Sequence, residues 1–74
     1  MLISYPYTLT PEDGGFFVQF VDFSSGFTAA STEEEAAIFA GEVLDCLVGT
    51  YKDMGKTLPK ASPANGNPVS KINI

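Results

Sequence analysis

Few side chains in this sequence could carry out chemistry. There is no histidine and only one cysteine, Cys46. Without a histidine, Cys46 lacks the usual base for a reactive thiolate and the usual second ligand for zinc. It lies within the apolar half of a helical pattern, where a thiol is ordinarily a small core residue, and a single cysteine cannot form a disulfide within the chain. We therefore expect Cys46 to be a core residue with no role in catalysis or metal binding.

Carboxylates occur in three places where acid–base or metal chemistry is conceivable. These are Glu12 with Asp13 in a turn, Asp22 just past a strand, and Glu33 to Glu35 at the start of a helix. A helix N-terminus favours negative charge in any case, so the glutamates need no catalytic explanation. Gly14-Gly15 is too short to cradle a phosphate. Since no catalytic constellation is present, we expect no catalytic residue, no cofactor, no metal and no enzymatic activity.

The charge balance argues against nucleic acid and favours a basic partner. Nine acidic residues face four lysines and no arginine, which gives a net charge of -5. Nucleic-acid binding needs cations to replace phosphate counterions, and arginine is the main reader of bases. A basic protein is the better electrostatic match, although negative charge also simply keeps a small domain soluble.

The chain shows no pattern typical of a membrane span or of export. No apolar stretch approaches the roughly 20 residues that a membrane span needs. The first residues also lack the basic and then apolar pattern of a signal peptide. We therefore expect a cytoplasmic protein that does not contact a membrane.

The longest regular pattern predicts a helix from Thr32 to Met54. Its apolar residues recur at steps of three and four and form one stripe, which consists of Ala36, Phe39, Ala40, Val43, Leu44, Leu47, Val48, Tyr51 and Met54. Thr32 as N-cap and Glu35 three residues later form a capping box, in which side chains bind free N–H groups of the first turn. Gly55 is placed to end the helix in a left-handed conformation.

Three strands precede this helix. Alternation of apolar and polar residues predicts strands at Leu2–Leu9, Phe16–Val21 and Phe27–Ala30, joined by turns at Pro11–Gly15 and Asp22–Gly26. Val69–Ile74 is either a last strand or a frayed end. The predicted fold class is α+β in the order β-β-β-α-β, with a three- to four-stranded, mainly antiparallel sheet and one long helix packed on one face.

A single helix can cover only one face of this sheet. Phe16, Val18 and Phe20 would face the helix, whereas Phe17 and Val21 lie on the second face and are candidates for contact with another chain. Isolated apolar residues on a surface are also ordinary. Because a chain of 74 residues has a thin core, and no disulfide holds this one, we expect a homo-oligomer, a dimer or higher.

Several short motifs follow one another in an order that is specific in combination. In chain order they are Tyr5, Asp13-Gly14-Gly15, Phe20-Val21-Asp22, Thr32-Glu33-Glu34-Glu35-Ala36, then Ala40, Glu42 and Leu44, then Gly55 to Pro59, with Ser62 beyond. This order resembles the HicB-like antitoxins, the partner half of HicA/HicB toxin–antitoxin modules, over about residues 3 to 62. We divide the chain into a HicB-like antitoxin domain over residues 1–60 and a Pro/Asn/Gly-rich connection with a possible last strand over residues 61–74.

The resemblance implies a partial ribonuclease-H-like fold that inhibits a small basic messenger-RNA-cleaving toxin by covering its active surface. The first strand would lie inside the sheet with the last strand beside it. That first strand carries no Asp or Glu, so the metal-dependent hydrolysis of a true ribonuclease H cannot be assembled there. Many family members continue into an operator-binding domain, whereas this sequence ends at Ile74, so we expect no direct contact with nucleic acid and no DNA-binding domain.

Departures from the family pattern leave the choice of toxin open. Val21 stands where the family usually has proline, and Ser24-Ser25 replaces a Pro-Gly. Two alternatives to a minimal antitoxin are a self-associating interaction module and an inhibitor of another host protein carried by a mobile element. The predicted partner-binding residues are Glu12, Asp13, Phe17, Val21, Asp22 and Glu34, and the predicted helix-capping residues are Thr32 and Glu35.

Overall fold

The computed structural model describes all 74 residues and contains four strands and one helix. In chain order these are β1 (Leu2–Glu12), β2 (Gly15–Phe20), β3 (Phe27–Ala30), α1 (Glu33–Asp53) and β4 (Val69–Asn73). The strands form one sheet in the order β3-β2-β1-β4, and every neighbouring pair is antiparallel. With α1 packed on one face of this sheet, the predicted α+β fold class is confirmed.

The first hairpin is tighter than the sequence predicts. The turn was expected to span Pro11–Gly15, but Pro11 pairs with Phe16 and Glu12 pairs with Gly15. Only Asp13 and Gly14 remain outside the ladder, and Gly14 adopts a φ of 73°. A two-residue loop with a glycine at positive φ is enough to reverse an antiparallel pair, so the strand continues through the proline.

Both prolines of β1 lie where a missing N–H removes no ladder bond. The N–H of Tyr7 donates toward β4, to the carbonyl of Pro68, and residues two apart along a strand point their N–H groups to the same side. The Pro11 nitrogen therefore faces a position beyond the end of β4, whose pairing with β1 stops at Pro6. Pro6 points its nitrogen toward β2, whose ladder with β1 begins only at Tyr7.

The last segment of the chain joins the sheet. Val69 pairs with Pro6 and Asn73 pairs with Leu2, so the alternative of a frayed end is wrong. The N-terminal amine of Met1 donates to the Asn73 side chain and to the Ile74 carbonyl, which holds the two ends of the chain together. β1 therefore lies inside the sheet with β4 beside it, as the family resemblance implies.

The helix begins and ends where its capping signals predict. The backbone N–H of Glu35 donates to the Thr32 hydroxyl, and the Glu35 carboxylate accepts from the N–H of Ser31. The capping box is therefore present, with its second half shifted to the residue before the cap. Met54 is the C-cap and Gly55 follows with a φ of 67°, the left-handed conformation that the glycine was expected to supply.

The core lies between α1 and one face of the sheet. Ala36, Ala40, Leu44 and Val48 are the buried residues of the helix, and Phe39, Val43, Leu47 and Tyr51 are partly buried against them. Two sequence predictions are wrong here. Met54 is 60% exposed because it lies at the helix end beyond the sheet, and Cys46 is exposed because it falls outside the buried stripe of Leu44 and Val48.

Candidate partner-binding surfaces

The acidic residues of the first hairpin and of the helix start lie at the same end of the molecule. A Cβ on Gly15 would overlap the carbonyl oxygen of Ala30, so the hairpin closely approaches the end of β3. The helix begins three residues after Ala30. This approach places Glu12 and Asp13 beside Glu35, and all three line one open cleft.

We call this region the acidic end. It consists of Glu12, Asp13, Glu33, Glu34 and Glu35, five of the nine carboxylates in the chain. Four of these side chains are exposed, and Glu35 is half-buried because its carboxylate caps the chain at Ser31. The four free carboxylates are available to a cationic partner. The predicted residues Glu12, Asp13 and Glu34 therefore lie at the same end of the molecule, although Glu35 and not Glu34 lines the cleft with Glu12 and Asp13.

Phe17 and Val21 lie on a different surface. We call the sheet face away from α1 the open face; Phe17 is half-buried on it, and the exposed Val21 follows on the same face just past the end of β2. Phe17 stacks on Phe27 of β3 with ring centroids 6.0 Å apart. The sequence predicted β3 correctly but did not identify Phe27 as a surface residue, because the pairing that places it beside Phe17 is not visible in the pattern of one strand.

Asp22, the sixth predicted residue, is occupied within the chain. One carboxylate oxygen accepts from the Ser62 N–H and the other from the Ser62 hydroxyl. The hydroxyl of Tyr5 also donates to the carbonyl of Pro59, at 2.7 Å. These contacts hold the connection between α1 and β4 against the sheet. A role for Asp22 in binding a partner stays a prediction, whereas its structural role explains why Ser62 belongs to the motif set.

Gln19 holds the loop between β2 and β3 and was missed by the sequence analysis. Its side-chain amide donates to the carbonyl oxygens of Phe20, Phe23 and Gly26, at 3.0 to 3.2 Å. Buried carbonyl groups of a loop need such donors. A polar residue within an aromatic strand was the only signal in the sequence, and it does not indicate which carbonyls the amide would reach.

Two properties of the titratable side chains bear on chemistry, namely whether they group to bind a metal ion and whether their pKa values are shifted. No three His, Cys, Asp or Glu side chains are grouped so that they could hold a metal ion. Burial raises the pKa of the Tyr5 and Tyr7 phenols, and for Tyr5 the nearby Asp22 carboxylate and Tyr51 add to the effect. Both tyrosines are core residues, so these raised pKa values reflect packing. Separately, α1 does not combine the length and apolar character that a membrane-crossing helix requires.

Comparison with known proteins gives one consistent result. Residues 4–70 match a family described as the HicB-like antitoxin of a bacterial toxin–antitoxin system. Antitoxin HicB of Escherichia coli K12 is 36% identical over 64 residues, which cover 85% of this chain and 46% of that protein. Antitoxin HicB 1 of Photorhabdus laumondii is 37% identical over 60 residues, which cover 80% of this chain and 39% of that protein. The chain thus spans about half the length, or less, of the curated relatives that it matches.

Proposed function

The chain belongs to the HicB-like antitoxin family, and from this membership we propose that it neutralises a small basic HicA-type toxin. In this proposal the chain is a binding protein that covers the toxin's messenger-RNA-cleaving surface and has no catalytic activity of its own. The observation that carries the proposal is the acidic end, where five of nine carboxylates lie together. Four of them are free of internal roles, so they can face a cationic surface without first losing a partner.

Charge complementarity explains what the acidic end would contribute. Opposite potentials steer two proteins together and set their relative orientation, and they act mainly on the association rate. Glu33 and Glu34 also lie in the first turn of α1, where the helix dipole favours negative charge. A toxin whose active surface must bind RNA is itself basic, so the same surface would be attracted to the acidic end.

The function can be tested with the HicA-type toxin that the proposal expects to be encoded beside this chain. RNA cleavage by the purified toxin is measured with increasing amounts of the chain, and we expect inhibition with equimolar saturation. The test variant is Glu12→Gln with Asp13→Asn and Glu34→Gln. The matched control is Glu42→Gln with Asp45→Asn and Asp53→Asn, which changes the net charge equally at exposed positions elsewhere on α1.

The two triple variants distinguish a local effect of the acidic end from an effect of the total net charge. We expect the acidic-end variant to bind the toxin at least about tenfold more weakly, mainly through slower association, and to show a weaker dependence on salt. The control triple variant should lose much less affinity for the toxin. Full toxin activity in the presence of the unaltered chain overturns the proposed function, whereas equal losses in both variants overturn only the acidic end as its site.

A further inference from the structure

The open face carries an aromatic pair that nothing else in the chain covers. The rings of Phe17 and Phe27 stack with their planes at 29°. Phe27 is 54% exposed, and Val21 is 49% exposed. An exposed apolar patch of this kind is a candidate surface for contact in an assembly. Covering it removes aromatic and aliphatic carbon from water, which favours association.

Further apolar residues lie on the open face in one cross-strand row. The N–H of Val21 donates to the carbonyl of Pro6, and Pro6 pairs with Val69 on its other side. Because side chains of directly paired residues share a face, these three residues form one apolar row beside the Phe17–Phe27 pair. Val69 is itself 36% exposed. Pro6 itself is fully buried, so the exposed apolar surface consists of the β2–β3 side of the open face, with Val69 on β4 beyond Pro6.

The open face is nearly free of charge in a chain of net charge -5. Strand alternation and register place Glu12 at one end of this face and Lys71 at the other. The paired positions between them hold threonine, glutamine, serine, alanine and apolar side chains. The remaining carboxylates lie at the hairpin tip, on the helix, or in the hydrogen bonds between Asp22 and Ser62.

This distribution of charge fits a second copy of the chain better than it fits a basic toxin. Two copies of like charge repel each other, and the repulsion is least where the surfaces brought together carry no carboxylates. A basic partner, by contrast, gains almost nothing from a face without acidic groups. We propose that the open face binds the same face of a second copy, so that two sheets pack about 10 Å apart with the helices outside.

The size of the patch sets the strength of this dimer. Even if all four strands contributed, spaced about 4.8 Å apart over some three cross-strand rows, the footprint would be at most roughly 300–400 Å² per partner. Stable complexes bury about 800 Å² of accessible surface per partner. The accessible surface of this patch is larger than its flat footprint because side chains protrude from it, but the patch is still small by this measure. We therefore expect a dimer that dissociates in the micromolar range and exchanges its subunits readily.

Sedimentation equilibrium over about 1 to 200 µM tests the dimer directly, a range that spans the weak affinities expected of a small interface. The weight-average mass of the unaltered chain should rise from the monomer value toward twice that value. Phe27→Asp places a like charge at the centre of the contact and should raise the dissociation constant at least about tenfold. Phe27→Ala should weaken the dimer less, through lost apolar contact alone.

Ile38→Asp is the matched control, because Ile38 is 61% exposed but lies on α1, away from the open face. We expect it to dimerise as the unaltered chain does, and circular dichroism should show that all variants keep their helix. A monomer at every concentration overturns the proposal, as does disruption by Ile38→Asp but not by Phe27→Asp. If Phe27→Asp abolishes inhibition of the toxin while the unaltered chain is monomeric, the open face belongs to the toxin and the dimer is wrong.

Discussion

The two faces of the sheet are built from the same strands, and both carry aromatic side chains, yet only one of them is covered by the helix. Under α1, Tyr5, Val18 and Phe20 have at most 1% of their surface exposed. On the open face, Phe27 and Val21 keep about half of theirs. Alternation along a strand decides which residues share a face, whereas the number of layers decides which face is covered. One helix provides one cover, so apolar character alone does not predict burial.

The packing of the aromatic rings shows the same difference. Phe23 lies at the centre of the covered side, with Tyr5, Phe20 and Tyr51 around it at ring-centroid distances of 4.9 to 6.2 Å and in edge-to-face geometry. On the open face the Phe17 and Phe27 rings lie nearly flat against each other. The first arrangement encloses Phe23, which is 1% exposed, while the second presents a broad ring surface outward.

The largest expected effect comes from truncating one phenylalanine on each face. Phe20→Ala removes a ring that is 1% exposed, and the lost burial with the cavity left behind costs about 3–5 kcal/mol. Phe27→Ala removes a ring that is 54% exposed, and we expect a loss below about 1 kcal/mol for the monomer. Urea unfolding at a protein concentration too low for dimerisation measures both losses.

A domain of this size rarely has more than about 3–5 kcal/mol of stability, so Phe20→Ala is expected to be largely unfolded. Phe20→Leu keeps the comparison measurable, since it retains most of the side-chain volume and should cost about 1.5 kcal/mol. Similar losses for Phe20→Leu and Phe27→Ala would show that the two faces are equally covered in the monomer, which contradicts the comparison.

Sequence reasoning predicted the elements that depend on local chemistry. The bounds of β3, the Thr32 cap and the left-handed Gly55 follow from residue types that need only their own neighbours. The helix-facing side of β2 also follows, because Phe16, Val18 and Phe20 alternate with the residues of the open face. For the same reason Phe17 and Val21 could be assigned to the second face before any strand pairing was known.

Features that depend on long-range pairing could not be predicted. Phe27 becomes part of a surface patch only because β3 pairs with β2 in one register. Asp22 could not be matched to Ser62, which lies 40 residues away along the chain. Cys46 was misplaced because it follows Leu44 by two positions and so falls on the opposite side of the helix from the sheet. The apolar composition around Cys46 does not show on which side of the helix it lies, whereas its angular position around the helix axis does.

A smaller expected effect contrasts two glycines, one inside the packed region and one outside it. Gly15→Ala would drive a methyl group into the backbone carbonyl of Ala30, so the strands must shift, and we expect a loss of about 1–3 kcal/mol. Gly49→Ala adds a methyl group on α1 where no other atom lies within 4 Å. Alanine favours a helix over glycine, so this variant should gain up to about 1 kcal/mol.

Urea unfolding of both glycine variants measures the two changes with opposite signs. Gly15→Ala should also weaken toxin binding, because it separates the hairpin from the helix start and so spreads the acidic end. Gly49→Ala should leave toxin binding unchanged. A stabilised Gly15→Ala variant would mean that the hairpin and β3 are not held in contact, and the acidic end would then lose its structural basis.

The smallest effect concerns the buried tyrosines, and it is absent at neutral pH. Burial raises the pKa of Tyr5 and Tyr7 in the folded chain above the value of about 10 found in an unfolded chain. Below pH 10 both states keep the phenol protons, so stability is unaffected. As the pH rises through 10 toward the folded pKa values, the unfolded state releases protons that the folded state retains, and the free energy of unfolding falls.

Tyr7→Phe isolates this effect, since burial alone raises the pKa of Tyr7 and phenylalanine keeps the ring in its edge-to-face contact with Phe20, at a centroid distance of 5.6 Å. Urea unfolding at pH 7, 9, 10 and 11 should show a shallower alkaline loss than in the unaltered chain. All other ionisable groups are common to both proteins, so their contributions cancel in the difference. Tyr5→Phe should differ from Tyr7→Phe by a loss of stability already at pH 7, because it also removes the hydrogen bond to the Pro59 carbonyl.

Identical alkaline profiles for Tyr7→Phe and the unaltered chain would mean that the covered face admits water to the phenol, and the contrast between the two faces would then be one of degree.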